Sequence, residues 1–173
     1  MDSFAGGPGT PTFRPCATSL ESWGTGLVVC MWDGATRSGS HAAGGMVLIT
    51  PAKVILLAKG VQFHSIDDPM VVELLLMQEA IGWCLGRGFT EVTFEGDAKV
   101  IIENVNQAET RDNRMGAMLE EIVHSLVFHS RSRVRFVGRR NNRVAHLVAR
   151  KALSLSPTMS CLFGFQEWLN SKM

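Results

Sequence analysis

A chain of 173 residues, 46% apolar and with a formal net charge of +1, is long enough for one domain with an ordinary buried core. It holds no apolar run near the roughly 18 residues a spanning helix needs, and its Gly- and Pro-rich start lacks both regions of a secretory signal, so an intracellular protein, nuclear or cytoplasmic, without a membrane partner is expected. Cys16, Cys30, Cys84 and Cys161 are scattered without CxxC or Cys/His spacing, which argues against zinc and for reduced thiols.

Residues 1–22 read as a flexible lead-in, because Gly6, Gly7, Pro8, Gly9 and Pro11 break any regular pattern. Residues 27–32 form a continuous apolar run that stops at Asp33-Gly34, the pattern of a buried central strand with a turn at its end. This places Asp33 at the strand's C-terminal edge. A polar loop over 36–41, a second strand over 44–49 and a third over 54–61 complete an antiparallel meander. Asp68-Pro69 is a helix start, with Asp as cap and Pro in the first turn. The helix that follows stops at Gly86-Arg87-Gly88. On it Glu73 falls between Leu76, Met77, Ala80 and Cys84, in the middle of the apolar face. A carboxylate aimed into a core is costly unless it is paired, protonated or bound to a metal; at a helix's first turn an acid also suits the dipole.

Residues 89–95 read as a fourth strand. Asp97 stands at its junction with a helix carrying Val100, Ile101, Ile102 and Val105, where it is either an N-cap or something more. Residues 115–128 give another amphipathic helix, 134–137 a fifth strand, and Asn141-Asn142 cap a last helix reaching about residue 153. The domain is expected over 23–155, followed by an extension over 156–173 whose Phe163, Phe165 and Trp168 either pack back on the body or are mobile. Of the 17 basic residues, eight lie between Arg131 and Lys151 with no acid among them, leaving nine against 16 acids elsewhere. Such a segment is either a nucleic-acid-facing surface or a solvated basic face.

The order βββαβααβα predicts a mixed α/β sheet of five strands flanked by helices. A helical crossover from the first strand to the fourth puts them side by side and parallel. Asp33 and Asp97 then share one sheet end, which Glu73 also reaches. Three packed carboxylates repel unless a cation neutralises them, and hard oxygen donors suit Mg²⁺ or Mn²⁺. Such a site suits metal-assisted phosphoryl chemistry.

Four pieces, in this order and spacing, carry a resemblance: Met31-Trp32-Asp33-Gly34-Ala35, Val72-Glu73, the run from Gly88 to Asp97, and the run from Asn142 to Ala149. The chain resembles the ribonuclease H-like superfamily, most closely the plant reverse-transcriptase-like domains related to those of non-LTR retroelements. The resemblance implies a metal-dependent endonuclease that cleaves the RNA strand of RNA–DNA hybrids with two ions held by four acidic positions. Asp33, Glu73 and Asp97 match three; His146 stands at the fourth and is either a ligand, better suited to Mn²⁺ than Mg²⁺, or a plain helix-surface histidine. Phe136 stands where active members often carry a mobile His, and there is no room before Met115 for the basic extra helix some members use to grip hybrid. The candidate nucleic-acid contacts are Gly34 and Thr36 after the first acid, and Arg139, Arg140, Asn142 and Arg143 after the fifth strand; Asn142 is equally a helix cap. Arg133 and Arg135 alternate along that strand and are expected to face water. The partner is RNA–DNA hybrid or another nucleic acid, and no protein partner is readable. The alternative is a domain that has kept the fold, lost the chemistry and serves as a nucleic-acid-binding or protein-interaction module. An exonuclease or integrase of the same broad fold fits the early meander less well.

Overall fold

The computed structural model describes residues 26–37, 41–66, 68–107, 114–155, 168–169 and 171–172. The proposed lead-in over 1–22, and Phe163 and Phe165, lie outside them. The elements are β1 (Val28–Arg37), β2 (His41–Ile49), β3 (Ile55–His64), α1 (Pro69–Leu85), β4 (Val92–Gly96), α2 (Lys99–Gln107), α3 (Arg114–Phe128), β5 (Arg133–Phe136) and α4 (Arg143–Ser154), with a 3-10 turn, Arg139–Asn142, leading into α4. They form one five-stranded mixed sheet in the order β3-β2-β1-β4-β5. β1 pairs antiparallel with β2 and parallel with β4, and β5 is parallel to β4. This is the α/β architecture expected.

Alternation along the strands divides the core in two. Cys30, Trp32, Met46, Leu48 and Phe94 point to one face, beneath α1, α2 and α3. Met31, Ala43, Val47 and Ile49 point to the other, beneath α4. Full burial of each large apolar side chain contributes about 1.5–3 kcal/mol, so these two layers set the sheet's position between the helices. Leu169 is fully buried in the second layer, and Trp168 packs there with Lys151 Nζ 5.8 Å from its ring centroid.

Three boundaries differ from the sequence reading. Residues 36–41 were expected as a polar loop, yet β1 runs on to Arg37 and β2 starts at His41, with Arg37 paired to His41. Hairpin pairing satisfies backbone groups whatever the polarity of the side chains, so composition misreads this stretch. β3 likewise continues past residue 61 to His64, where Gln62 Nε2 donates to the carbonyls of Ala152 (2.8 Å) and Leu155 (2.9 Å) at the end of α4. β4 begins at Val92 rather than at residue 89. The α1 cap is as expected: Asp68 Oδ1 accepts from the Met70 N–H at 2.9 Å.

Two features place the carboxyl ends of the parallel strands. The β1–β4 ladder ends at the pair Met31 and Glu95, so β1 continues beyond it beside β2 alone. Opposite Asp33 and Gly34 on β2 stand Gly45 and Gly44. A Cβ at Gly44 would overlap the Leu76 side chain of α1, and one at Gly45 the backbone of Ala145 and Ala149 in α4. Both helices therefore close tightly on the sheet at the level of Asp33.

Candidate metal centre

Asp33 lies midway along β1 rather than at its end before a turn as expected, because pairing with β2 carries the strand on to Arg37; it is just past the last pair of the parallel ladder with β4. Asp97 follows β4 directly, and Glu73 lies in the first turns of α1. Open α/β sheets form their ligand crevices outside the carboxyl ends of parallel strands, and there the three acids meet. Carboxylate oxygens of Asp33, Glu73 and Asp97 all lie within 4.8 Å of one another.

Gly34 explains how Glu73 gets in. Its N–H donates to Glu73 Oε1 at 3.2 Å, and a Cβ on residue 34 would stand 2.8 Å from that oxygen. The small residue is thus used inward, to seat the carboxylate. Glu73 Oε2 is buried and has no hydrogen-bond donor among the described residues. Burial pushes the Glu73 carboxyl up to about 8, and the charges of Asp33 and Asp97 push the same way against the Gly34 N–H and Arg139. Asp33, 5% exposed, is raised to about 6, by burial first and the Asp97 charge second, with His146 opposing. A set of crowded oxygen donors with an orphaned buried oxygen fits a hard divalent cation, whose charge would satisfy that oxygen and cancel the repulsion. The three acids could hold such an ion.

His146 projects from α4 and its Nδ1 is 2.6 Å from Asp33 Oδ2. Its side chain is 40% exposed, so it stands on the helix surface with one ring nitrogen on the acid cluster. Of the expected nucleic-acid contacts, Thr36, Arg139, Arg140 and Arg143 are exposed around the carboxyl end of the sheet. Asn142 is not: it is 1% exposed, makes no side-chain cap bond, and donates from Nδ2 to the Trp32 carbonyl at 2.8 Å. Asn142 does stand at the N-cap position of α4, but its side chain is drawn instead to the carbonyl preceding Asp33, where β1 has outrun β4. Arg133 and Arg135 do not simply face water either. Arg133 Nε donates to Thr93 Oγ1 at 3.1 Å, and Arg135 pairs with the buried Glu95 on β4. Phe136, at the end of β5, is 44% exposed.

Sequence reasoning missed the partner of Arg139. Its Nε donates to Asp97 Oδ2 at 3.3 Å. The signal was present: Arg139 follows β5 much as Asp97 follows β4. Among the described residues no helix is long and apolar enough to cross a membrane.

A family model described as reverse transcriptase-like matches residues 31–152. No curated protein sequence matches the chain. Among solved structures, RNase H1 from the halophilic archaeon Halobacterium salinarum is 22% identical, with 74% of this chain and 98% of that one covered at a TM-score of 0.63. The N-terminal RNase H domain of a Mycobacterium tuberculosis protein is 21% identical, covering 73% and 93% at 0.63. LC11-RNase H1, isolated from compost and solved in complex with RNA/DNA hybrid, is 15% identical, covering 73% and 96% at 0.65. These likenesses carry the RNase H fold.

Proposed function

Because the chain belongs to the reverse transcriptase-like family and has an RNase H-like fold, we propose that it is a metal-dependent endonuclease that hydrolyses the RNA strand of RNA–DNA hybrids. The observation that carries this reading is the meeting of Asp33, Glu73 and Asp97 around the orphaned Oε2 of Glu73. The hybrid as substrate is supported by the complex in which LC11-RNase H1 was solved.

Asp33, Glu73 and Asp97 would hold Mg²⁺ or Mn²⁺. When bound, such an ion supplies Lewis-acid polarisation of a phosphate oxygen and a water of lowered pKa. In the hydrolysis a water oxygen bonds to phosphorus as one P–O ester bond breaks. One water proton ends on the departing ester oxygen and the other stays with the phosphate product. Gly34 holds Glu73 through its N–H, and His146 holds Asp33 through Nδ1. Arg140, Arg143 and Thr36 stand exposed at the rim, where backbone phosphates and the 2′-hydroxyls that distinguish RNA from DNA would lie. The resemblance implied two ions; three carboxylates, with His146 engaged by Asp33, favour one.

The test is cleavage of an end-labelled RNA–DNA hybrid in Mg²⁺ and in Mn²⁺, with Asp33→Asn as control. Metal-dependent cleavage of the RNA strand that Asp33→Asn abolishes is the expected result. Folded protein inert in both metals would overturn the proposal. The second reading, a nucleic-acid-binding module without chemistry, would then stand; His146 in place of a fourth acid is what favours it.

A further inference from the structure

Each of the three parallel strands delivers a charged side chain to the carboxyl end of the sheet. β1 delivers Asp33, β4 is followed by Asp97, and β5 is followed by the 3-10 turn that opens with Arg139. The first two are anionic and the third is a permanent cation. Arg139 Nε contacts Asp97 Oδ2 at 3.3 Å while its side chain is 88% exposed. Its charge also opposes, weakly, the effect of burial on the Glu73 carboxyl. The guanidinium is therefore anchored on the acid cluster by one N–H and open to solvent through the others. The described residues give it no second hydrogen bond.

We infer that Arg139 supplies the positive charge that a second ion would bring, its guanidinium reaching a non-bridging oxygen of the phosphate being cut. This rests on the nuclease reading. The ligand inventory points the same way. A second divalent ion needs further anionic donors, but the remaining group at the cluster is His146, which brings no negative charge when neutral and whose Nδ1 is on Asp33. A guanidinium matches phosphate as well as carboxylate, donating two N–H bonds in a fixed fork. It keeps its protons throughout and acts by charge and hydrogen bonding on the developing phosphorane oxygens. Arg140 and Arg143 are exposed nearby, and no contact with the acids accompanies them.

The inference is tested with Arg139→Gln and Arg139→Lys in the full chain. Calorimetric titration with Mn²⁺ alone should give one ion per wild-type chain. Arg139→Gln should bind that ion about threefold more tightly, because an exposed ion pair on Asp97 has been removed. At saturating Mn²⁺ the same variant should lose about 100-fold in kcat on hybrid, with Arg139→Lys recovering part of it. Tighter metal with slower turnover is a pair of changes that misfolding does not produce. Two ions per wild-type chain, weaker or unchanged Mn²⁺ binding in Arg139→Gln, or wild-type kcat in that variant would each overturn the inference while leaving the nuclease reading in place. Inert wild-type protein would remove both.

Discussion

Nδ1 of His146 and Oδ2 of Asp33 are 2.6 Å apart, joining α4 to β1 across 113 residues of sequence. The bond ties the most buried acid of the cluster to a helix that packs on the opposite face of the sheet from α1. A partner of this kind orients a metal-binding carboxylate without itself needing to bind the metal.

Replacing His146 with Ala is therefore expected to weaken Mn²⁺ binding about tenfold while the protein stays folded. Calorimetric titration of the two proteins measures it. Equal affinities would mean that the strand alone positions Asp33. Cleavage should run faster in Mn²⁺ than in Mg²⁺, and His146→Asp should narrow that difference by restoring a hard anionic donor.

Stability without divalent ions should fall with rising pH. The Glu73 carboxyl is raised from 4.5 to about 8 and that of Asp33 from 3.8 to about 6. Between those values the folded chain holds protons that the unfolded chain has released, so raising the pH favours unfolding. Above pH 6 the decline belongs mainly to Glu73. Melting temperatures in EDTA should drop from pH 6 to pH 8, and either Glu73→Gln or saturating Mg²⁺ should flatten that segment. A flat wild-type curve in EDTA would contradict the burial of an orphaned carboxylate.

Asn142 bears on stability through β1. Losing its Nδ2 leaves the buried Trp32 carbonyl without that donor, so Asn142→Ala should cost about 1–3 kcal/mol. Asn142→Asp should cost more, because it buries a charge where Oδ1 already has no donor among the described residues. Urea unfolding of the three proteins gives the ranking, and a neutral Asn142→Ala would show that the tether is not needed.

Leu169 is fully buried against the α4 layer. Leu169→Ala should destabilise the domain by about 2–5 kcal/mol, read as a lower urea midpoint at an unchanged slope. A midpoint equal to wild type would mean that this residue does not pack on the sheet in solution.

The order of elements was legible in the sequence because burial leaves a period. A continuous apolar run marked β1, and a 3.6-residue stripe marked α1 and α3. The acid on the apolar face of α1 stood out for the same reason, since nothing local explains it. Asp33, Glu73 and Asp97 could be placed at one sheet end by chain order and crossover handedness alone.

What chain order does not carry is where side-chain tips finish. His146 against Asp33, Arg139 against Asp97 and Asn142 against the Trp32 carbonyl are separated by 113, 42 and 110 residues. Each depends on how far β1 outruns β4 and on how closely α1 and α4 settle over Gly44 and Gly45. These are distances of a few ångströms, set by packing of the two core layers. Local propensity told which residues would be buried and in what order. Only the tertiary structure decided that the histidine would bond to an acid and that an arginine would stand beside the carboxylates, because hydrogen bonds and ion pairs form by proximity and no periodicity in the sequence records it.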